Sequence, residues 1–368
     1  MFIKPQMKKI AIITGAAVIA LAALLVYFLN PFAFLMPQEK FPLQTATLPL
    51  AQNKNSALAA ASPWGVDFSQ SQAEYLKLDW KALYTAIIGD LGAKSIKLHT
   101  NWNWVEGDKD NYFFDDIDWQ IQQAEQNNVK IIYVLGMKTG RWPECHLPDW
   151  AVNAPKDEQQ AELLKYMTAV VNRYKGSQAV AYWQVENEPL LKFGVCPSWY
   201  YNNADFLKKE VDLVRSLDPS RQIIISDSGE LSDWTKAAKL ADIVGVTLYR
   251  NAWTKVTPTF GFESYSFKVP SYYSKKAENI KKLFGKNVIC IELQAEPWAG
   301  KPFLEASLSE QLKSMNPTMF KEDVAFAEQT GLGKFYFWGV EWWYWMATKQ
   351  NQPEIWNDAK ALFHGGKP

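Results

Sequence analysis

The sequence predicts an α/β protein: a (β/α)8 barrel preceded by one N-terminal membrane-spanning helix. From Ser62 onward, eight short apolar runs alternate with helical patterns, the rhythm of βα units around a parallel sheet. No GxGxxG or Walker sequence follows any of these runs, as a doubly wound open sheet binding nucleotides would require. Ahead of them, Ile10 to Leu29 is a 20-residue stretch without a charge, and Lys4, Lys8 and Lys9 precede it.

Twenty residues at about 1.5 Å rise cross the roughly 30 Å hydrocarbon layer. The leading lysines keep residues 1–9 cytoplasmic and send the remainder outside. A cleaved signal peptide followed by secretion is the alternative. Its apolar region would usually be about 7–15 residues and end in a small-x-small site. Asn30 to Leu35 offers no such site, and Ala59-Ala60-Ala61 lies too far downstream. Residues 10–29 are therefore expected to be an uncleaved anchor. Residues 30–61, rich in Pro, Gln, Ala, Asn and Ser, read as a flexible tether.

Residues 62–368 form the barrel domain. Its strands are expected at 64–68, 95–99, 130–135, 179–185, 222–226, 243–249, 287–292 and 334–338. Helices follow at 80–91, 116–127, 156–174, 204–217, 233–240, 273–284, 316–330 and 354–363. Gly92 and Gly285 read as C-terminal glycines and Asp115 as an N-cap. In Ile96-Lys97-Leu98-His99, alternation turns Lys97 and His99 into the barrel. In Ile289-Cys290-Ile291-Glu292, the same parity puts Cys290 and Glu292 inside and both isoleucines outside.

Composition narrows the function. Lys+Arg and Asp+Glu stand at 39 each, without the basic surplus of a nucleic-acid protein. Three cysteines lack zinc-type spacing and three histidines give little material for a metal site, so no metal or organic cofactor is expected. Neither HExxH nor a serine-nucleophile motif occurs, which leaves protease or esterase chemistry without support. The 17 tryptophans suggest surfaces for stacking on flat apolar ligand faces.

Strand four ends Glu186-Asn187-Glu188-Pro189 and strand seven ends Ile291-Glu292-Leu293-Gln294. A carboxylate closing a buried strand is costly unless paired or used. Glu188 and Glu292 can meet across the barrel mouth, one protonated as general acid and the other ionised as nucleophile. That is the apparatus of glycoside hydrolysis with retention, for which the carboxyl groups lie about 5–5.5 Å apart.

Asn187-Glu188-Pro189 ending strand four, with a glutamate ending strand seven, resembles the clan A glycoside hydrolases over residues 62–350. That superfamily includes families 5, 10, 39 and 42, among them cellulases, mannanases, xylanases and β-galactosidases. The resemblance implies a retaining enzyme acting on a polysaccharide or oligosaccharide, with Glu188 as acid/base and Glu292 as nucleophile. It further implies that Asn187 binds the sugar 2-hydroxyl, that Tyr249 steadies Glu292, and that Trp338 floors the subsite of the reacting sugar. Where the superfamily often has an arginine on strand two, this chain has Lys97, a departure from family 5 in particular.

Other positions stay open between substrate contact and packing. His99 and His146 are each candidates for substrate binding or satisfied interior histidines. Trp102, Trp104, Trp142, Trp150 and Trp298 follow strand ends and are expected to line subsites, whereas Trp80, Trp119 and Trp234 lie in helical patterns and are expected to pack. Glu296, before Pro297-Trp298, rivals Glu292 but needs four more residues of loop. Glu186 is expected in a salt bridge. Cys145 and Cys196 follow adjacent strands on the exported catalytic face, so a disulfide is expected between them, with two reduced thiols as the alternative. The whole reads as a monomeric, membrane-anchored, extracytoplasmic glycoside hydrolase. The competing class is an inactive barrel that binds or guides polysaccharide.

Overall fold

The computed structural model describes residues 62–201, 203–253, 262–265 and 268–368. The anchor and tether expected within residues 1–61 lie outside them. Among the described residues no helix is long and apolar enough to cross a membrane.

Eight parallel strands close a barrel: β1 Trp64–Phe68, β2 Ser95–His99, β3 Lys130–Leu135, β4 Val180–Val185, β5 Gln222–Asp227, β6 Ile243–Leu248, β7 Asn287–Gln294 and β8 Phe335–Trp338. Each pairs with its neighbours in sequence, and β8 closes on β1 through Trp64–Phe335 and Asp67–Trp338. The outer helices are α1 Trp80–Gly89, α2 Asp115–Gln126, α3 Lys156–Tyr174, α4 Ala204–Leu217, α5 Thr235–Leu240, α6 Pro270–Phe284, α7 Pro317–Thr330 and α8 Glu354–Phe363. All eight predicted strands are present: those at 64–68, 95–99 and 130–135 coincide with the expected bounds, and the other five differ at one end by one or two residues.

Local chemistry explains the helix ends. Asp79 caps α1 by accepting from the N–H groups of Lys81 and Ala82, and Asn316 caps α7 in the same way. Gly92 has φ 78°, and beside it the Ala93 N–H reaches the Ile87 carbonyl, the glycine stop that ends α1. Gly285 closes α6 at φ 70°. Asp115 is a correction: it is the first residue of α2, and the cap position is Phe114, without a side-chain bond. Asp115 instead joins Asp116 and Asp118 in the first turn, where the helix dipole favours negative charge.

The core has two layers. Ile132, Ile224, Ile243, Ile291 and Tyr336 fill the barrel interior, while a larger apolar shell lies between strands and helices. Gly65 makes room for Tyr336, because a Cβ there would stand 2.7 Å from the tyrosine ring. Strand seven departs from the expected parity. Ile289 and Ile291 belong with the interior residues, and Cys290 with the outer shell. The β6–β7 register then shifts, from Val246 opposite Cys290 to Thr247 opposite Glu292. This bulge inserts one residue and returns Glu292 to the mouth.

Candidate active site

The functional side chains sit at or just beyond the C-terminal ends of the strands. Glu292 is held from two directions. Lys97 Nζ lies 2.8 Å from Oε1, and the Tyr249 hydroxyl donates to Oε2 at 2.8 Å. Lys97 is wholly buried and also meets Asp67 at 2.8 Å and Asn187 Oδ1 at 3.3 Å. Burial alone would lower its pKa, but the Asp67 and Glu292 charges outweigh that and raise it, so the lysine stays cationic. Asp67 also pairs with His99. Burial pushes the Asp67 carboxyl up, and His99 and Lys97 together bring it below its usual range.

Glu188 is placed differently. Glu186 and Glu188 have φ of 61° and 41°, left-handed values that non-glycine residues rarely adopt. Two contacts hold the turn: the Glu188 N–H donates to Ser226 Oγ at 2.7 Å, and Lys138 Nζ donates to the Glu188 carbonyl at 3.0 Å. Strain of about 1–3 kcal/mol per residue at such a turn is supported by its surroundings. Burial, then the Glu292 charge, raises the Glu188 pKa well above the ordinary carboxylate value. The two glutamates thus have different surroundings: Glu292 receives Lys97 and Tyr249, whereas Glu188 is buried and faces the Glu292 charge.

Several supporting residues do not stand out in the sequence. Glu230 accepts from the Tyr249 N–H at 2.9 Å, the Thr247 hydroxyl at 3.0 Å and the Tyr273 hydroxyl at 3.1 Å, which fixes the end of β6 beneath Tyr249. Glu144 is buried in the loop after β3, with its carboxyl pushed up to about 7 by burial. Arg141 pairs with both Glu296 and Glu341, and its guanidinium lies 3.9 Å above the Trp338 ring. No local signal could have found them. Arg141 is 155 and 200 positions from its partners.

The expected site residues separate accordingly. Glu188, Glu292, Asn187, Tyr249, Lys97 and His99 share one bonded or electrostatic neighbourhood. Trp338 adjoins it, its indole N–H donating to Glu296 at 2.8 Å and one ring face covered by Arg141. Trp298 packs edge-on against Tyr249 at 5.0 Å, with Phe193 beyond it and Trp142, 71% exposed, at the rim. Glu296, the rival nucleophile, is occupied by Arg141 and Trp338. Trp102 is a correction: it is fully buried, stacks on Tyr166 and donates to Glu106, leaving no face for a sugar. Trp150 joins that packing, edge-on to Trp102.

His146 is also structural. Its ring bonds the Gly140 carbonyl at 2.9 Å, and burial lowers its pKa. Glu186 forms no ion pair among the described residues. It accepts from the Met137 and Lys138 N–H groups and the Tyr200 hydroxyl. Cys145 and Cys196 are joined, with Cα atoms 5.2 Å apart, and Cys290 is a buried free thiol.

Outside the mouth, Glu106, Asp110 and Glu162 bring carboxylate oxygens within 4.8 Å of one another. Lys109 and Lys165 already pair with members of that group.

A closed parallel barrel bearing glutamates at the ends of β4 and β7 defines the clan A glycoside hydrolases. Within that class, the sequence model of glycosyl hydrolase family 10 matches residues 82–361, and the chain belongs to that family. The departure from family 5 at Lys97 agrees with this. Endo-1,4-beta-xylanase 3 of Hypocrea jecorina is 23% identical over 67% of this chain and 72% of its own. Mannan endo-1,4-beta-mannosidase A of Podospora anserina is 32% identical over 31% of each chain, so the match spans about a third of that relative. Among solved structures, xylanase 10B of Thermotoga maritima has a TM-score of 0.53 at 14% identity, covering 82% of this chain and 94% of that one. At that identity the likeness is one of fold.

Proposed function

We propose that the chain is a retaining glycoside hydrolase that cleaves β-glycosidic bonds in a polysaccharide such as a β-1,4-xylan or β-1,4-mannan. The observation that carries this is the asymmetry of the two glutamates. Burial and the Glu292 charge raise the Glu188 pKa well above the ordinary carboxylate value, while Glu292 receives two donors, Lys97 and Tyr249, that suit a carboxylate. Glu188 gives its proton to the departing glycosidic oxygen as Glu292 attacks the anomeric carbon, forming a glycosyl-enzyme. Glu188, now a carboxylate, takes a proton from water, and that water releases the sugar. A barrel that only bound polysaccharide would gain nothing from this division of charge.

Residues 10–29 anchor the chain with the barrel outside the cytoplasm, and secretion after signal cleavage is the alternative. The test is release of reducing sugars from a polysaccharide panel by the full-length protein, with Glu188→Gln as control. Equal release by both proteins removes Glu188 from the acid/base role, and release by neither rejects the hydrolase.

A further inference from the structure

Two buried glutamates lie behind the turn that carries Glu188. Glu186 directly follows β4, and Glu210 sits on the inner face of α4 with Phe206, Leu207, Val211 and Val214. They are 0% and 1% exposed, and their side chains share a hydrogen bond. Two carboxyl groups can share one only if one of them carries a proton. The surroundings decide which. Glu186 accepts from the Met137 N–H at 2.8 Å on Oε1, and from the Lys138 N–H at 2.5 Å and the Tyr200 hydroxyl at 3.0 Å on Oε2. No donor reaches Glu210 Oε1 among the described residues. Three donors stabilise a carboxylate, so the charge rests on Glu186 and the proton on Glu210. Burial, then the Glu186 charge, pushes the Glu210 carboxyl well above its ordinary value, in agreement. Tyr200 after β4 and Tyr166 on α3 are the titratable neighbours, with Glu144 beyond Tyr200. Lys138 turns its ammonium elsewhere, to the Glu188 carbonyl at 3.0 Å and the Leu191 carbonyl at 3.4 Å.

The Glu186 carboxylate ties together two loops at the acid/base. It stands two residues before Glu188, and Met137 and Lys138 belong to the loop after β3. Lys138 completes the clasp, because its carbonyl accepts from the Asn187 N–H at 2.5 Å. Gly136, at φ 131°, leaves the space the carboxylate needs, since a Cβ there would collide with Glu186 Oε1. Glu186 and Glu188 both have left-handed backbone, which persists only where the surroundings over-determine it.

We infer that Glu210 is a positioning residue for the acid/base: by donating its proton to Glu186 it holds that carboxylate against the loop after β3, and so fixes the turn that aims Glu188 at the glycosidic oxygen. The inference rests on the hydrolase proposal and extends it from the cleft to a helix outside the barrel. Misplacing a catalytic group by about 1 Å costs on the order of 10²-fold in rate.

The test uses full-length Glu210→Gln, whose amide N–H can still donate to Glu186, and Glu210→Met, of similar size with no donor. Each is given a β-1,4-xylan or β-1,4-mannan oligosaccharide and the dinitrophenyl glycoside of the same sugar. Dinitrophenolate departs without a proton, so formation of the glycosyl-enzyme from the aryl glycoside does not need the acid. Glu210→Gln should keep the wild-type kcat/KM on both substrates. Glu210→Met should lose about 10²-fold on the oligosaccharide and little on the aryl glycoside. Wild-type rates in Glu210→Met, equal losses on both substrates, or a Glu210→Gln as slow as Glu210→Met overturn the inference and leave the hydrolase standing. If Glu210→Met does not fold, infrared spectra decide: at neutral pH the wild type should show a protonated-carboxyl band that Glu210→Gln lacks. Identical spectra place the proton elsewhere and overturn the inference. A wild type that cleaves neither substrate rejects the hydrolase, and the inference with it.

Discussion

Tyr249 donates its phenolic hydrogen to the Glu292 oxygen opposite the one that Lys97 holds, both at 2.8 Å. With both oxygens engaged, the carboxylate is fixed in orientation before substrate arrives. Glu292→Gln should remove turnover while the thermal transition persists, because the amide oxygen can still accept from one of the two donors. Glu188→Gln should cost about 10²–10⁴-fold in turnover, the usual worth of a positioned acid. Steady-state rates on xylan and mannan decide the matter. Wild-type activity in Glu292→Gln would exclude it as nucleophile.

Acid catalysis needs Glu188 protonated, and its pKa is raised by burial, by Glu292 and, more weakly, by Glu144. The alkaline limb of the pH–rate profile should therefore lie above the ordinary carboxylate range. Glu144, with its own pKa at about 7, adds negative charge near Glu188 as pH passes that value. Glu144→Gln deletes this charge, lowers the Glu188 pKa and should move the alkaline limb to lower pH. A kcat profile measured in both proteins checks the sign. An unmoved limb means that Glu144 does not act on Glu188.

Trp102 and Trp298 make a matched pair of tests. Trp102 is fully buried against Tyr166, so Trp102→Ala should cost about 3–5 kcal/mol of stability through the cavity it leaves. Trp298 is half-buried and packs edge-on to Tyr249. Trp298→Ala should chiefly raise KM, with a smaller change in melting temperature. Denaturant unfolding alongside kinetics separates them, and the reverse pattern would return Trp102 to the cleft.

These two tryptophans also mark where the sequence stops being legible. Both follow a strand end in a βα loop, and nothing local says which indole turns inward. The eight-strand frame is readable because apolar runs recur at barrel spacing, and Glu188 and Glu292 because a charge ending such a run is conspicuous. Parity in β7 is hidden because a bulge alters the alternation without altering composition. The Arg141 ion pairs with Glu296 and Glu341 and the Glu230 support under Tyr249 depend on partners brought together only by closure of the barrel. The pattern of one strand cannot contain them.

The proposed anchor is residues 10–29, preceded by three lysines. Full-length protein should remain in the membrane fraction after salt extraction, and external protease should release the barrel by cutting within residues 30–61. A soluble chain whose N-terminus has been removed would establish a cleaved signal instead.

The Cys145–Cys196 bridge joins the loops after β3 and β4, and the Val195 N–H donates to the Pro143 carbonyl beside it at 2.9 Å. It closes a segment of 51 residues, which in the chain-entropy model stabilises by about 4 kcal/mol. The bridge also fixes the wall of the cleft, because Arg141, Trp142 and Glu144 lie within four residues of Cys145. Cys145→Ser with Cys196→Ser should therefore lower the melting temperature and impair catalysis together. Reductant should lower the melting temperature of the wild type and leave that of the double variant unchanged. If the double variant loses stability but keeps kcat and KM, the bridge serves folding alone and the loop holds its place without it.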